Sequence, residues 1–209
     1  MKIKYHRAAT FMLDNGDKIT GEFIGKGAFW EAFRVKNWVY LVERPNHHGT
    51  DYAKEIMLWA PKWSGVRKHL PVIEHVGELE DFERQVYRMK YYEPLTAAHK
   101  VAWTQFKALQ SAANQAYSTD WVERKNMRSD AINRLILNNA KPFITPALYR
   151  ALEAIYDASL NYGDHFAFEF ATRNLKVDAK GNLILVDPIF DQEIINKTHA
   201  QRVAKANRY

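Results

Sequence analysis

One change of rhythm limits what this chain can fold into. Up to about residue 92 its apolar residues alternate, or run in short stretches of β-branched and aromatic side chains. After Pro94 they recur at helical spacing. Strands gathered in one half and helices in the other predict an α+β fold, not alternating βαβ units. The expected organisation is a strand-rich portion over 1–93 with one helix, then a helical portion over 94–209 with one late hairpin.

The strands are read from short signals. Phe11–Leu13 and Lys18–Thr20 flank Asn15-Gly16, a hairpin turn pair. Glu22–Val35 reads as strand, glycine turn, strand, and Trp38–Glu43 as a further strand. A helix is expected from Asp51, ended by Pro61. Strands follow over Pro71–Val76 and Gln85–Tyr91. Beyond the switch, Ala102, Phe106, Leu109 and Ala113 share one helical face, and Thr119–Asn139 also reads as helix. Thr145-Pro146 supplies an N-cap and a first-turn proline for a helix carrying Leu148, Leu152, Ile155 and Ser159. Leu175–Val177 and Asn182–Val186 flank the turn Asp178–Gly181, and the stretch after them reads as helix.

Composition narrows the function classes. Of 209 residues, 47% are hydrophobic and 26% charged, as in an ordinary globular protein. No apolar run approaches the ~20 residues of a membrane span, so no membrane association is expected. The basic opening Met1–Arg7 has no apolar stretch behind it, so a signal peptide is not expected. The absence of cysteine excludes disulfides and thiolate zinc sites and fits a cytoplasmic setting. A net charge of +6 suits an anionic partner: nucleic acid, nucleotide or acidic protein. Part of the excess is local, because Lys197–Tyr209 holds Lys197, Arg202, Lys205 and Arg208 and no acidic residue. This basic tail is a candidate nucleic-acid contact.

Two motifs carry chemistry. Gly25-Lys26-Gly27 lies between two strands, where glycines let backbone N–H groups approach phosphates. Strand-to-strand context argues against a Rossmann turn or a P-loop. The second motif is Glu169-Phe-Ala-Thr-Arg-Asn174, followed by the hairpin and then Asp187-Pro188. A hairpin between Asn174 and Asp187 returns the aspartate to the asparagine, and two hard oxygen ligands suit Mg²⁺. Glu169 then stands ready to accept a proton or orient a nucleophile.

Together these segments resemble a protein kinase. Ile24–Val35 resembles the glycine-rich loop, Tyr52-Ala-Lys-Glu55-Ile the following helix, and Val86–Pro94 the strand entering the hinge. Glu169-x-x-x-x-Asn174 has the catalytic-loop spacing Asp-x-x-x-x-Asn. The small size and Asp187-Pro188 look most like the small serine/threonine kinases of short-tailed bacteriophages, which act on host proteins. The resemblance implies a bilobal minimal kinase-like fold, with an antiparallel-sheet N-lobe and a truncated helical C-lobe. It implies ATP and Mg²⁺ as cofactors, a host protein as substrate or target, and the host cytoplasm as the setting. Gly25, Lys26 and Gly27 would cover the phosphates, and Glu55 would partner a phosphate-gripping lysine. Met89 would guard the adenine pocket, and Lys90–Tyr92, with Tyr91 at their centre, would form the hinge. Glu169 would replace the catalytic aspartate, and Asn174 with Asp187 would bind the metal.

The departures are specific. Trp30 stands at the third glycine, Ala167 at the histidine before the catalytic acid, and Glu169 is one methylene longer than aspartate. The strand Trp38–Glu43 has no lysine; Tyr40 or Val42 occupies the expected position, leaving Lys26, Arg34 or Lys36 as substitutes. Only 22 residues follow Asp187, less than a usual peptide-binding half needs. A pseudokinase that binds a host protein is therefore the alternative, and a basic nucleic-acid-binding protein the further alternative.

Overall fold

The computed structural model describes residues 8–26, 30–44, 66–79, 84–117, 129–161, 163 and 165–191. The chain divides into two units, Met1–Leu58 with Pro71–Tyr91, and Trp59–Leu70 with Tyr92–Tyr209. The expected helix after Asp51 and the basic tail lie outside the described residues. No helix among the described residues is long and apolar enough to cross a membrane.

The first unit is built on β1 (Ala8–Met12), β2 (Lys18–Lys26), β3 (Trp30–Val35), β4 (Trp38–Glu43), β5 (Ile73–Glu78) and β6 (Gln85–Lys90). All neighbours pair antiparallel, in the order β1-β2-β3-β4-β6-β5. The β1–β2 turn forms where Asn15-Gly16 predicts it: Gly16 takes φ 86°, left-handed backbone that glycine adopts without a Cβ clash. The Asn15 side chain ties the turn by accepting the Asp17 N–H and donating to its carboxylate.

The sheet curls so that its two edges meet at one corner. Leu13, just past β1, bridges to Leu79, just past β5, and Asp14 N–H donates to Glu78 O at 2.8 Å. Leu13, Phe33, Val42, Leu79 and Val86 fill the inside of this curl, with Phe11, Phe23 and Tyr40 packed against them. Joining edges removes exposed backbone groups that would otherwise recruit another strand.

The second unit holds α1 (Lys100–Tyr117), α2 (Ser129–Ala140), a single 3-10 turn (Lys141–Phe143) and α3 (Pro146–Leu160). The buried stripe of α1 is Ala102, Phe106, Leu109, Ala112 and Ala116. It drifts one residue from Ala113 because 3.6 residues per turn do not keep a fixed spacing in phase. In α3, Thr145 Oγ1 accepts the Leu148 N–H, Pro146 opens the first turn, and Leu148, Leu152, Ile155 and Ser159 are all buried. The same unit holds β7 (Glu93–Pro94), β8 (Phe166–Phe168), β9 (Leu175–Val177), β10 (Leu183–Leu185) and β11 (Ile189–Asp191), with β8 packed on α2 and β10 on α1. They form a three-stranded sheet, β10-β9-β7, and a two-stranded ribbon, β11-β8. Neither β7 nor the β8–β11 ribbon is legible in the sequence, because strands of two or three residues carry no periodicity.

Candidate functional site

Asp178 closes the β9–β10 hairpin, its carboxylate accepting N–H groups from Lys180 and Asn182 and the Asn182 side-chain amide. Those bonds hold the Asp178 carboxyl below its ordinary range, although burial pushes the other way. The paired strands bring the two ends of the hairpin together. Asn174 O accepts the N–H groups of Val186 at 3.0 Å and Asp187 at 3.2 Å. Asp187 thus returns beside Asn174.

The same site gathers Glu169. Pro188 O accepts the Glu169 N–H at 2.7 Å, extending the β8–β11 ribbon by one bond. Asn174 Nδ2 donates to Glu169 Oε2 at 2.9 Å, and Arg173 forms an ion pair with Glu169 Oε1. Glu169, Asn174 and Asp187 therefore converge, two carboxylates and an amide in one place.

Asp187 feels that company. Its carboxyl is pushed up to about 7 by the protein packed round it and then by the Glu169 charge, while Arg173 pulls it down. The side chain nonetheless keeps an open face to solvent. Water on that face partly screens the Glu169 charge. Two carboxylates that repel each other, with Asn174 Oδ1 accepting no hydrogen bond among the described residues, form a donor set that suits a hard cation. Mg²⁺ is held through one or two carboxylates, the rest of its shell being water and phosphate. The residues present fit that pattern, although no cluster of three or more His, Asp or Glu side chains occurs among the described residues.

The framework behind the site was missed in the sequence. Asn133 of α2, 1% exposed, donates to Phe166 O at 2.7 Å and accepts Phe168 N–H at 3.0 Å. It takes the edge of β8 that β11 leaves open. His69, also 1% exposed, holds β10: its Nδ1 bonds Leu183 O at 2.7 Å and its main-chain O accepts Leu185 N–H at 2.8 Å. Its Nε2 is buried with no hydrogen-bond partner among the described residues, and burial lowers its pKa. The one signal for Asn133 is a polar residue inside the apolar stripe of Ile132, Ile136 and Leu137.

Residues expected around a nucleotide fall in the first unit. Gly25 sits in β2 beside a register shift, and a Cβ there would meet nothing within 4 Å. The protein's own packing does not require glycine at that point. Lys26 pairs with Glu31 at 3.0 Å. Met89 is buried in β6, opposite Val39 of β4 and Ile73 of β5. Tyr91 spends its N–H on Asn37 O, and the Arg34 guanidinium lies 3.6 Å from its ring centroid. Gly27 and Glu55 lie outside the described residues.

The strand expected to carry a phosphate-gripping lysine is β4. Tyr40 and Val42 lie on the sheet face that packs inside the curl. Val39 pairs with Met89, so the face that Met89 shares carries Val39, Leu41 and Glu43 of β4. Neither face of β4 offers a lysine. In the second unit Lys176 of β9 is half-buried, its pKa lowered by burial, with no hydrogen bond or ion pair among the described residues.

No protein-family model matches this chain, and no curated protein matches its sequence significantly.

Proposed function

We propose that this protein is a minimal, bilobal kinase-like phosphotransferase that uses ATP and Mg²⁺ to modify a host protein on serine or threonine. The observation that carries the reading is the convergence of Glu169, Asn174 and Asp187 through the Asn174 Nδ2–Glu169 Oε2 bond and the Asp187 N–H to Asn174 O bond. The spacing of these three residues matches the catalytic loop and metal aspartate of kinases.

In this reading Asn174 Oδ1 and the Asp187 carboxylate would hold Mg²⁺, which would supply positive charge to the phosphate oxygens. Glu169 orients the acceptor hydroxyl and takes its proton as that oxygen bonds to the γ-phosphorus and the bond to ADP breaks. Arg173 must leave Glu169 for this, which its 70% exposed side chain allows.

A second reading is favoured by two observations: β4 carries no lysine, and Arg173 already neutralises Glu169. A pseudokinase keeps the nucleotide site or the partner surface without transfer. The test is transfer of γ-³²P from ATP to host-cell proteins. Label that depends on Mg²⁺ and disappears in Glu169→Gln and Asp187→Ala supports the enzyme. Nucleotide-dependent thermal stabilisation without label supports the pseudokinase. No stabilisation by millimolar ATP–Mg²⁺ defeats both and leaves the basic nucleic-acid-binding protein.

A further inference from the structure

We infer that Lys176 supplies the phosphate-binding positive charge that β4 lacks; the inference rests on the function proposed above. Leu175 pairs with Leu185, Lys176 with Ile184 and Val177 with Leu183. Asn174 O accepts Val186 N–H, continuing the same pairing by one residue. Side chains alternate across a strand, so Lys176 lies on the face opposite Leu175 and Val177, and Asn174, in the turn that leads into β9, precedes it by two residues. Two residues along a strand span ~6.6 Å, and a flexible four-carbon stem bridges that spacing. Lys176 can therefore deliver its ammonium to the end of the sheet where Asn174, Glu169 and Asp187 meet.

Among the described residues no counter-charge pairs with it. The cross-strand neighbours of Lys176 are Pro94 and Ile184, both apolar. Half-burying an ammonium without a partner is costly, and an anion brought by a ligand removes that cost. Three of the other candidate cations are committed: Lys26 to Glu31, Arg34 to the Tyr91 ring and Lys36 O, and Arg173 to Glu169. The ligand chemistry that fits a lone ammonium next to an Mg²⁺-type donor set is a nucleoside di- or triphosphate, its charge shared between lysine and metal.

Calorimetric titration with ATP–Mg²⁺ and with adenosine separates the outcomes. Lys176→Met keeps the apolar stem and removes the charge, and Lys176→Arg keeps the charge. Losing a charge-assisted contact is expected to weaken ATP–Mg²⁺ binding roughly 10- to 100-fold in Lys176→Met. Adenosine affinity stays unchanged, and Lys176→Arg recovers most of the loss. Thermal midpoints of both variants, read alongside, establish that they are folded. Equal loss for ATP and adenosine, or no loss for either, overturns the role of Lys176 while the proposed function stands. No saturable ATP–Mg²⁺ binding by the wild-type protein overturns that function and this inference together.

Discussion

Asn133 grips Phe168 and its strand from the side: the amide oxygen takes the Phe168 N–H at 3.0 Å while the amide nitrogen gives to Phe166 O at 2.7 Å. A helix side chain thus replaces a third strand along β8 and fixes the backbone one residue before Glu169. Asn133→Ala leaves two buried backbone groups unpaired at ~1–3 kcal/mol each. Urea denaturation is expected to show a loss of about 3 kcal/mol, with Glu169 N–H exchange accelerated. A loss below about 1 kcal/mol would mean that water or a neighbour takes over both bonds.

Asp187 makes stability fall as pH rises. Its folded pKa lies near 7, above the unfolded carboxylate value of about 3.9. Its contribution is fully present below the unfolded value and is lost as pH rises through about 7. Asp187→Asn should therefore raise the melting temperature relative to wild type at pH 8, with the gain vanishing near pH 4. A gain that persists unchanged at pH 4 would contradict the elevated carboxyl.

The charges on either side of Asp187 make opposite predictions. Glu169→Gln removes the repelling carboxylate and should lower the Asp187 pKa, whereas Arg173→Gln removes the attracting guanidinium and should raise it. Carbon-detected NMR titration of the Asp187 carboxyl reads both shifts in the protein without ligand. On activity, Glu169→Gln should cost ~10²–10⁴-fold in transfer rate, the range for loss of a positioned acid–base group, with ATP–Mg²⁺ affinity nearly unchanged.

His69 works in the opposite pH direction. Nδ1 donates to Leu183 O, so the neutral ring leaves an unprotonated Nε2 buried. Protonation would bury an N–H with nothing to accept it. Its folded pKa is below the ordinary 6.5, so its stabilising share is complete above 6.5 and is lost as pH falls toward the folded value. His69→Ala should be less stable than wild type at pH 8, by about 2–3 kcal/mol. It should also flatten the acid-side loss that sets in below pH 6.5 in denaturant titrations.

The turns and caps of this fold are written locally, and the sequence alone determined them. Asn15-Gly16, Thr145-Pro146 and Asp178–Gly181 act through residues a few positions apart, so their chemistry is visible without any partner. The hairpin between Asn174 and Asp187 is local as well, and the return of one residue to the other follows from it. What the tertiary structure decided is everything that depends on a distant partner. Leu13 meets Leu79 to join the sheet edges, and which face of β4 turns inward follows from that curl. Asn133 and His69 read as unremarkable polar residues until packing buries them against β8 and β10. Arg173 and Lys176 are two cations three residues apart; only the fold gives one a carboxylate and leaves the other half-buried without one among the described residues. Periodicity records which side of an element is apolar, but the environment of a charge is set by the elements that arrive beside it.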